Sequence, residues 1–253
     1  MSSNTSLDVS SALPIIEHIR MNPIRRNLVV KHTRRLTSRM LRVTLAGEDL
    51  NGFVSPSPDD HIKVFFPTAD GGTDARDYTP RHFDSAANEL SIDFYLHEAG
   101  AGANWARHAA PGDKLQIGGP RGSSVVSASG FWWLLIGDET AMPSVGRRLA
   151  EMASGTQVSC VLAVADAREE QHFETKADLM VHWVHRPPLL ATEPEHLLAK
   201  LSEITLPEGP GFVWIAAETE VARAVRIHIV ETRHHAPEWT KASAYWSATS
   251  DRD

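Results

Sequence analysis

The stretch VVSASGFWWLLIGDETAMP, residues 125–143, is where the chain changes its rule. Upstream of it, short runs are separated by Gly, Pro, Asn and Asp: NLVVKHT, MLRVTLAG, HIKVFFP, RDYTPRHF, LSIDFYLH and DKLQIGG. That spacing is the mark of strands and their turns. LSIDFYLH alternates, with Ile92, Phe94 and Leu96 on one face and Asp93, Tyr95 and His97 on the other. Such a strand buries one side only, as in a small antiparallel barrel. One helix, over AGANWARHA (101–109), interrupts the series and is ended by Pro111 and Gly112.

Downstream, FWWLLIG is a continuous apolar run, as expected of a strand covered on both faces. Helix-spaced AMPSVGRRLAEMA follows it. The runs VSCVLAVAD, MVHWVHR, FVWIAAE and ASAYW then alternate with helical DAREEQHFETK, EPEHLLAKLSEI and TEVARAVRIHIVETR. Strands alternating with helices predict βαβ units and a parallel sheet. The expected architecture is a β barrel plus an α/β domain. A mobile Ser-rich arm covers 1–20, a six-stranded antiparallel barrel 21–126, and an open parallel-sheet, nucleotide-binding-like domain 127–253.

With 253 residues, 42% of them hydrophobic, the chain is long enough for two ordinary domains with real cores. Its formal net charge of -7 speaks against a nucleic-acid binder, which carries a basic footprint. It also means that an anionic ligand has to be met by a concentrated local patch of cations. The lone Cys160 excludes an intrachain disulfide and a four-cysteine iron–sulfur site. The first residues carry no basic segment followed by an apolar core, and the run 131–137 is far too short to cross a bilayer. A cytoplasmic, monomeric protein without membrane insertion is expected.

Within the barrel half, ARDYTPRHFD (75–84) sets Tyr78 and Thr79 between Arg76 and Arg81. The stretch reads either as an amphipathic strand with solvated arginines or as a cofactor cradle. HEAGAGANWA (97–106) places small residues at a helix entry, where free backbone N–H groups and the helix dipole favour pyrophosphate. On its strand, Thr79 falls opposite Arg76 and Tyr78, so a bend at Pro80 is needed if all three are to serve one ligand. His182 and His185 point to opposite sides of their strand and mark no metal site. No nucleophile–base spacing indicates a hydrolase.

Taken in order, DDHIKVFFP (59–67), RDYTPR (76–81), IDFYLHEAGAGANWA (92–106) with PGDKLQIGGPRGS (111–123), GDETAMP (137–143) and AYW (244–246) resemble the siderophore-interacting protein family. Its members are FAD-dependent ferric-siderophore reductases within the ferredoxin–NADP reductase superfamily. The resemblance implies that Arg76 pairs with the FAD phosphates, Tyr78 stacks on the isoalloxazine and Thr79 bonds near its redox-active nitrogen. His97, Gly102, Ala103, Asn104 and Trp105 complete the implied FAD set. Asp138, Glu139, Thr140, Met142 and Glu218 are the implied NADPH or NADH contacts, although carboxylates repel phosphate. Lys63 and Arg121 are the implied contacts to the substrate, an anionic ferric siderophore of catecholate type. Donor choice stays open: Asp166 suits a free ribose hydroxyl and Arg168 a 2′-phosphate. Two other readings remain, an FAD-containing siderophore carrier without turnover and a general NAD(P)H flavoprotein reductase. The end reads AYWSATSDRD, where many members of the family carry basic residues after the Tyr-Trp pair, and a basic contribution from this tail is in doubt.

Overall fold

The computed structural model describes residues 13–68, 71–98 and 100–248. The chain starts with β1 (Ile15–Arg20) and enters a sheet of seven strands: β2 (Arg25–Arg35), β3 (Met40–Ala46), β4 (Ile62–Pro67), β5 (Thr73–Tyr78), β6 (His82–Asp84), β7 (Glu89–Tyr95) and β8 (Lys114–Gly118). Their order across the sheet is β5-β4-β8-β2-β3-β7-β6, and every pairing is antiparallel. The inward residues Leu28, Val43, Val64, Phe66, Ile92, Phe94 and Ile117 form one buried cluster. Helix α1 (Ala101–His108) covers it, with Ala106 inside and Trp105 packed at its edge.

RDYTPRHF is not one strand. It splits into β5 and β6, which lie at opposite edges of the sheet. Seven strands laid flat would set those edges about 29 Å apart, whereas the chain from Tyr78 to His82 reaches about 14 Å at most. The sheet therefore curls until its edges approach, and residues 79–81 step across the gap. The backbone N–H of Arg81 already donates to Ser91 O (2.9 Å), the β7 side of the crossing. The chain does bend at Pro80 in this crossing, but Thr79 stays turned toward Ser144 rather than toward Arg76 and Tyr78.

The two-stranded ribbon of β1 and β9 (Gly122–Ser127) was not anticipated. Ile15–Arg20, placed by the sequence in a mobile arm, pair along their length with β9, and Ile16 packs on the second half. Residues 1–12 of that arm lie outside the described residues.

The second half follows the predicted alternation with one exception. Strands β10 (Trp132–Gly137), β11 (Gln157–Val164), β12 (Asp178–His185), β13 (Gly211–Glu218) and β14 (Thr240–Trp246) form a parallel sheet in the order β12-β11-β10-β13-β14. Every residue of β10 and β13 is buried, which explains their unbroken apolar runs. Helix α2 (Met142–Glu151) covers one face through Val145 and Leu149. Helices α3 (Glu195–Glu203) and α4 (Thr219–Ile227) cover the other through Leu197, Leu201, Val221 and Val225. The exception is DAREEQHFETK, which holds only a single short turn, Ala167–Glu169. The rest runs extended over α2, burying Phe173, and Thr175 Oγ1 donates to Leu149 O (2.6 Å). Among the described residues no helix is long and apolar enough to cross a membrane.

Candidate functional site

The cradle begins where β5 meets α1. Arg76 and Tyr78 share the side of β5 that faces inward at the sheet edge, since they register with the buried Val64 and Ile62. Tyr78 lies between the aromatic core and the helix: its ring centroid is 4.5 Å from Phe94 and 6.0 Å from Phe66. A Cβ added at Gly102 would fall 1.9 Å from the Tyr78 hydroxyl. Only glycine fits there, so the phenol rests directly on the first turn of α1. The two sequence signals, RDYT and the small-residue helix entry, thus form one place. Burial raises the Tyr78 phenol well above its ordinary range, keeping it neutral.

The chemistry of this donor set suits a flavin dinucleotide. The first turn of α1 carries no acidic residue, and Gly100 enters it with φ 103°, a conformation natural to glycine. The first N–H groups of a helix have no partner within it and attract phosphate. Arg76, with a half-exposed side chain, is held by Asp74 at the same mouth. Its planar fork suits bidentate phosphate contact. On α1, Asn104 is exposed and Ala103 is buried. Trp105 packs on Phe66 and Phe94 at centroid distances of 5.8 and 5.6 Å. It also lines a cleft of about 430 Å³ with Asn104, Ala101 and Pro67. His97 stacks on Tyr95 (6.1 Å), next to Gly100.

Thr79 turns away from Arg76 and Tyr78, as strand alternation requires. Its Oγ1 lies 3.0 Å from Ser144 Oγ, which lies 2.8 Å from the Tyr245 hydroxyl. Three hydroxyls therefore link the crossing after β5, α2 and β14 across the junction of the two sheets. Burial, reinforced by Asp59, raises the Tyr245 phenol and keeps it protonated. Beside this chain, Arg147 donates to Ser55 Oγ (2.8 Å), Ser55 O (2.6 Å) and Pro80 O (3.0 Å). The Asp59 carboxylate, its side chain only 5% exposed, receives Lys241 Nζ (2.6 Å), Trp214 Nε1 (3.2 Å) and Arg148 (3.3 Å). Burial pushes Asp59 up, but the two cations more than offset it and leave the carboxyl below its usual range. Ser144 and Arg147 escaped the sequence reading because a helix pattern identifies an inward face, not which polar residue meets a distant strand.

The acidic turn after β10 is engaged within the protein. Asp138 Oδ1 accepts from Thr140 N (2.8 Å) and Thr140 Oγ1, while Oδ2 accepts from Glu218 N (3.2 Å) and Trp246 Nε1 (2.8 Å). Glu139 pairs with Arg186 (2.9 Å), both buried; burial raises its carboxyl to about 7 while Arg186 pulls it down. Glu218 caps α4 by accepting from Glu220 N (2.6 Å) and Val221 N (3.2 Å). Met142 is buried with Met40 and Val164 where the two sheets meet. Of the five residues assigned to the nucleotide by resemblance, Asp138 thus ties the end of β10 to β13 and β14, Glu139 reaches Arg186 beyond β12, Glu218 caps α4, and Met142 packs against β3 and β11. Asp166 and Arg168 answer one another, with Arg168 Nη2 2.7 Å from Asp166 Oδ2.

On the outer face of the seven-stranded sheet, Lys63 pairs with Asp77 (2.8 Å), both half-exposed. Lys63 is in register with Gly118, three residues before the exposed Arg121.

Two family models match: "Siderophore-interacting FAD-binding domain" over residues 29–75 and 70–124, and "Siderophore-interacting protein" over 131–249. The NADPH-dependent ferric-chelate reductase of Escherichia coli is 33% identical over 244 residues, covering 88% of this chain and 93% of the relative. The ferric vibriobactin reductase of Vibrio cholerae is 29% identical over 232 residues, covering 83% and 85%. Among solved structures, a siderophore utilization protein from T. fusca superposes with a TM-score of 0.85 at 32% identity, covering 93% of this chain and 96% of that one.

Proposed function

This chain belongs to the siderophore-interacting protein family, and we propose that it is an FAD-dependent reductase carrying electrons from NADPH to siderophore-bound iron(III). The observation that carries the reading is the seating of Tyr78 on Gly102, which makes one site of the arginine-bearing strand and the helix entry. Bound FAD supplies the change from a two-electron hydride donor to single electrons for iron(III). Around it the side chains bind and orient. Arg76 and the first turn of α1 hold phosphate, the neutral Tyr78 phenol offers its ring, and Thr79 is fixed by Ser144 at the junction of the sheets. Ferric iron arrives with its ligands complete, so the protein needs only to bring the complex to the flavin edge.

The finer reading is a monomeric, cytoplasmic enzyme acting on an anionic, catecholate-type complex met by Lys63 and Arg121. The support is electrostatic: a chain of net charge -7 has to concentrate cations where a multiply charged anion docks. For the donor, Arg168 beyond the end of β11 is the more exposed member of its pair with Asp166, 82% against 41%, and stands open to a 2′-phosphate. That favours the phosphorylated nucleotide.

An anaerobic visible spectrum of the FAD-loaded protein tests this. NADPH bleaches the flavin band, a ferric catecholate restores it, and a chelator traps iron(II). A band that no nucleotide bleaches, yet that shifts when a ferric complex binds, would establish a carrier instead.

A further inference from the structure

Three strands of the seven-stranded sheet build a cationic pedestal beside Lys63, and we propose that Arg25 on it is the third cation of the acceptor site. The inference rests on the reading that Lys63 and Arg121 face the ferric complex. Register places Lys63, Gly118 and Arg25 side by side on β4, β8 and β2. Residues directly paired in a sheet share one face, and two strand spacings set Lys63 and Arg25 about 10 Å apart. The next row on that face is Phe65, Gln116 and Asn27.

The absent side chain of Gly118 lets the Phe65 ring lie on the backbone, 3.1 Å from where a Cβ would stand. The Arg25 guanidinium lies over that ring, 4.1 Å from its centroid. Arg25 Nη1 donates to Gln116 Oε1 (2.6 Å), and Gln116 is held in turn because its Nε2 donates to Asn27 Oδ1 (3.0 Å). An exposed arginine is thus fixed by a ring and an amide, neither of which neutralises it. Its other N–H groups stay available, and little side-chain freedom is left to lose on binding.

The adjoining segment extends the charge. Gly119 N donates to Ile24 O (3.2 Å) and Met21 N to Arg121 O (2.9 Å), so the chain at Arg20–Arg25 runs beside Gly118–Arg121. Among the described residues no carboxylate pairs with Arg20, Arg25 or Arg121, and Lys63 alone has Asp77. In an acidic protein this is a concentrated positive surface, and the electron-rich rings of a catecholate complex suit a guanidinium as well as its charge does. The ligand class is a multiply anionic, aromatic ferric complex.

The test uses the FAD-loaded protein and gallium(III) tris-catecholate, which has the charge of the iron complex but is not reduced, with binding read by calorimetry. Arg25→Gln is expected to raise Kd about tenfold, the loss of one charge-assisted contact. The loss for a neutral gallium trihydroxamate is expected to be smaller. Gly118→Ala, which crowds Phe65 while keeping the guanidinium, weakens the trianion too. Arg226→Gln on α4 controls for net charge and leaves Kd unchanged. If Arg25→Gln binds the trianion as the parent does while Lys63→Ala and Arg121→Ala do not, the pedestal proposal falls and the acceptor site stands. Equal losses for the charged and neutral complexes would likewise refute a charge role for Arg25. If the parent binds neither complex, the acceptor reading itself fails.

Discussion

Two polar stretches, the end of β5 beside α1 and the turn from β10 into α2, behave in opposite ways. Around Arg76 and Tyr78 the sheet edge and α1 leave a guanidinium and a helix entry facing outward, with glycines where side chains would block them. Around Asp138 and Glu139 the polar atoms face inward. Asp138 joins its own turn to β13 and β14, and Glu139 is buried against Arg186. One is shaped to receive a ligand and the other to hold strand ends. The difference lies in how far each charge is already answered by the protein, which no list of residue types conveys.

The sharpest way to break this comparison is Asp138→Ala. Removing a buried carboxylate that accepts hydrogen bonds from Thr140, Glu218 and Trp246 should destabilise the fold by about 2–4 kcal/mol, read as a lower thermal midpoint. Unchanged stability with a raised KM for NADPH would instead make Asp138 a ligand contact.

Glu139 sharpens it through pH. Its carboxyl titrates near 7 in the fold against an ordinary 4.5. The folded state therefore holds a proton that the unfolded chain has released. The stabilisation is complete below pH about 4.5 and is lost as pH rises through about 7, a change on the order of 3 kcal/mol. Denaturant unfolding across that window should show the slope, and Glu139→Gln should remove it.

At the receiving turn, Gly102→Ala drives a methyl group into the Tyr78 hydroxyl. It should weaken FAD binding about tenfold, from the flavin content of dialysed protein, with a smaller effect on unfolding. Adding Tyr78→Phe removes the struck atom and should recover part of the loss. The smallest effect belongs to Arg168→Ala. Its side chain is 82% exposed, so the unfolding midpoint should not move, while KM rises several-fold more for NADPH than for NADH.

Both halves of the fold were legible because burial leaves a period in the sequence. LSIDFYLH alternates and its inward residues are in the core; FWWLLIG and FVWIAAE are continuous and lie in the two fully buried strands. What escaped depends on partners far along the chain. The β1–β9 ribbon joins residues more than a hundred positions apart, and nothing in IIEHIR announces GSSVVS. DAREEQHFETK has helical composition, but Asp166 accepts from Arg168 N and closes a turn, and Phe173 is drawn to α2. The cradle was legible as residue types at Arg76, Tyr78 and Gly102. The inward engagement of Asp138, Glu139 and Glu218 was not, since their donors come from β14, the end of β12 and the first turn of α4.

The crossing at residues 79–81 has a mechanical meaning. A curled sheet whose two free edges are joined by so short a span is a hoop with a buckle, and the stretch proposed to bind the flavin runs into that buckle. Lengthening it by a few residues, or cutting it with a protease, would let the hoop spring open while every strand pairing stayed intact. If the proposed cradle holds FAD, cofactor occupancy and closure of the hoop are tied to the same short piece of chain, and inserted residues will be least tolerated there.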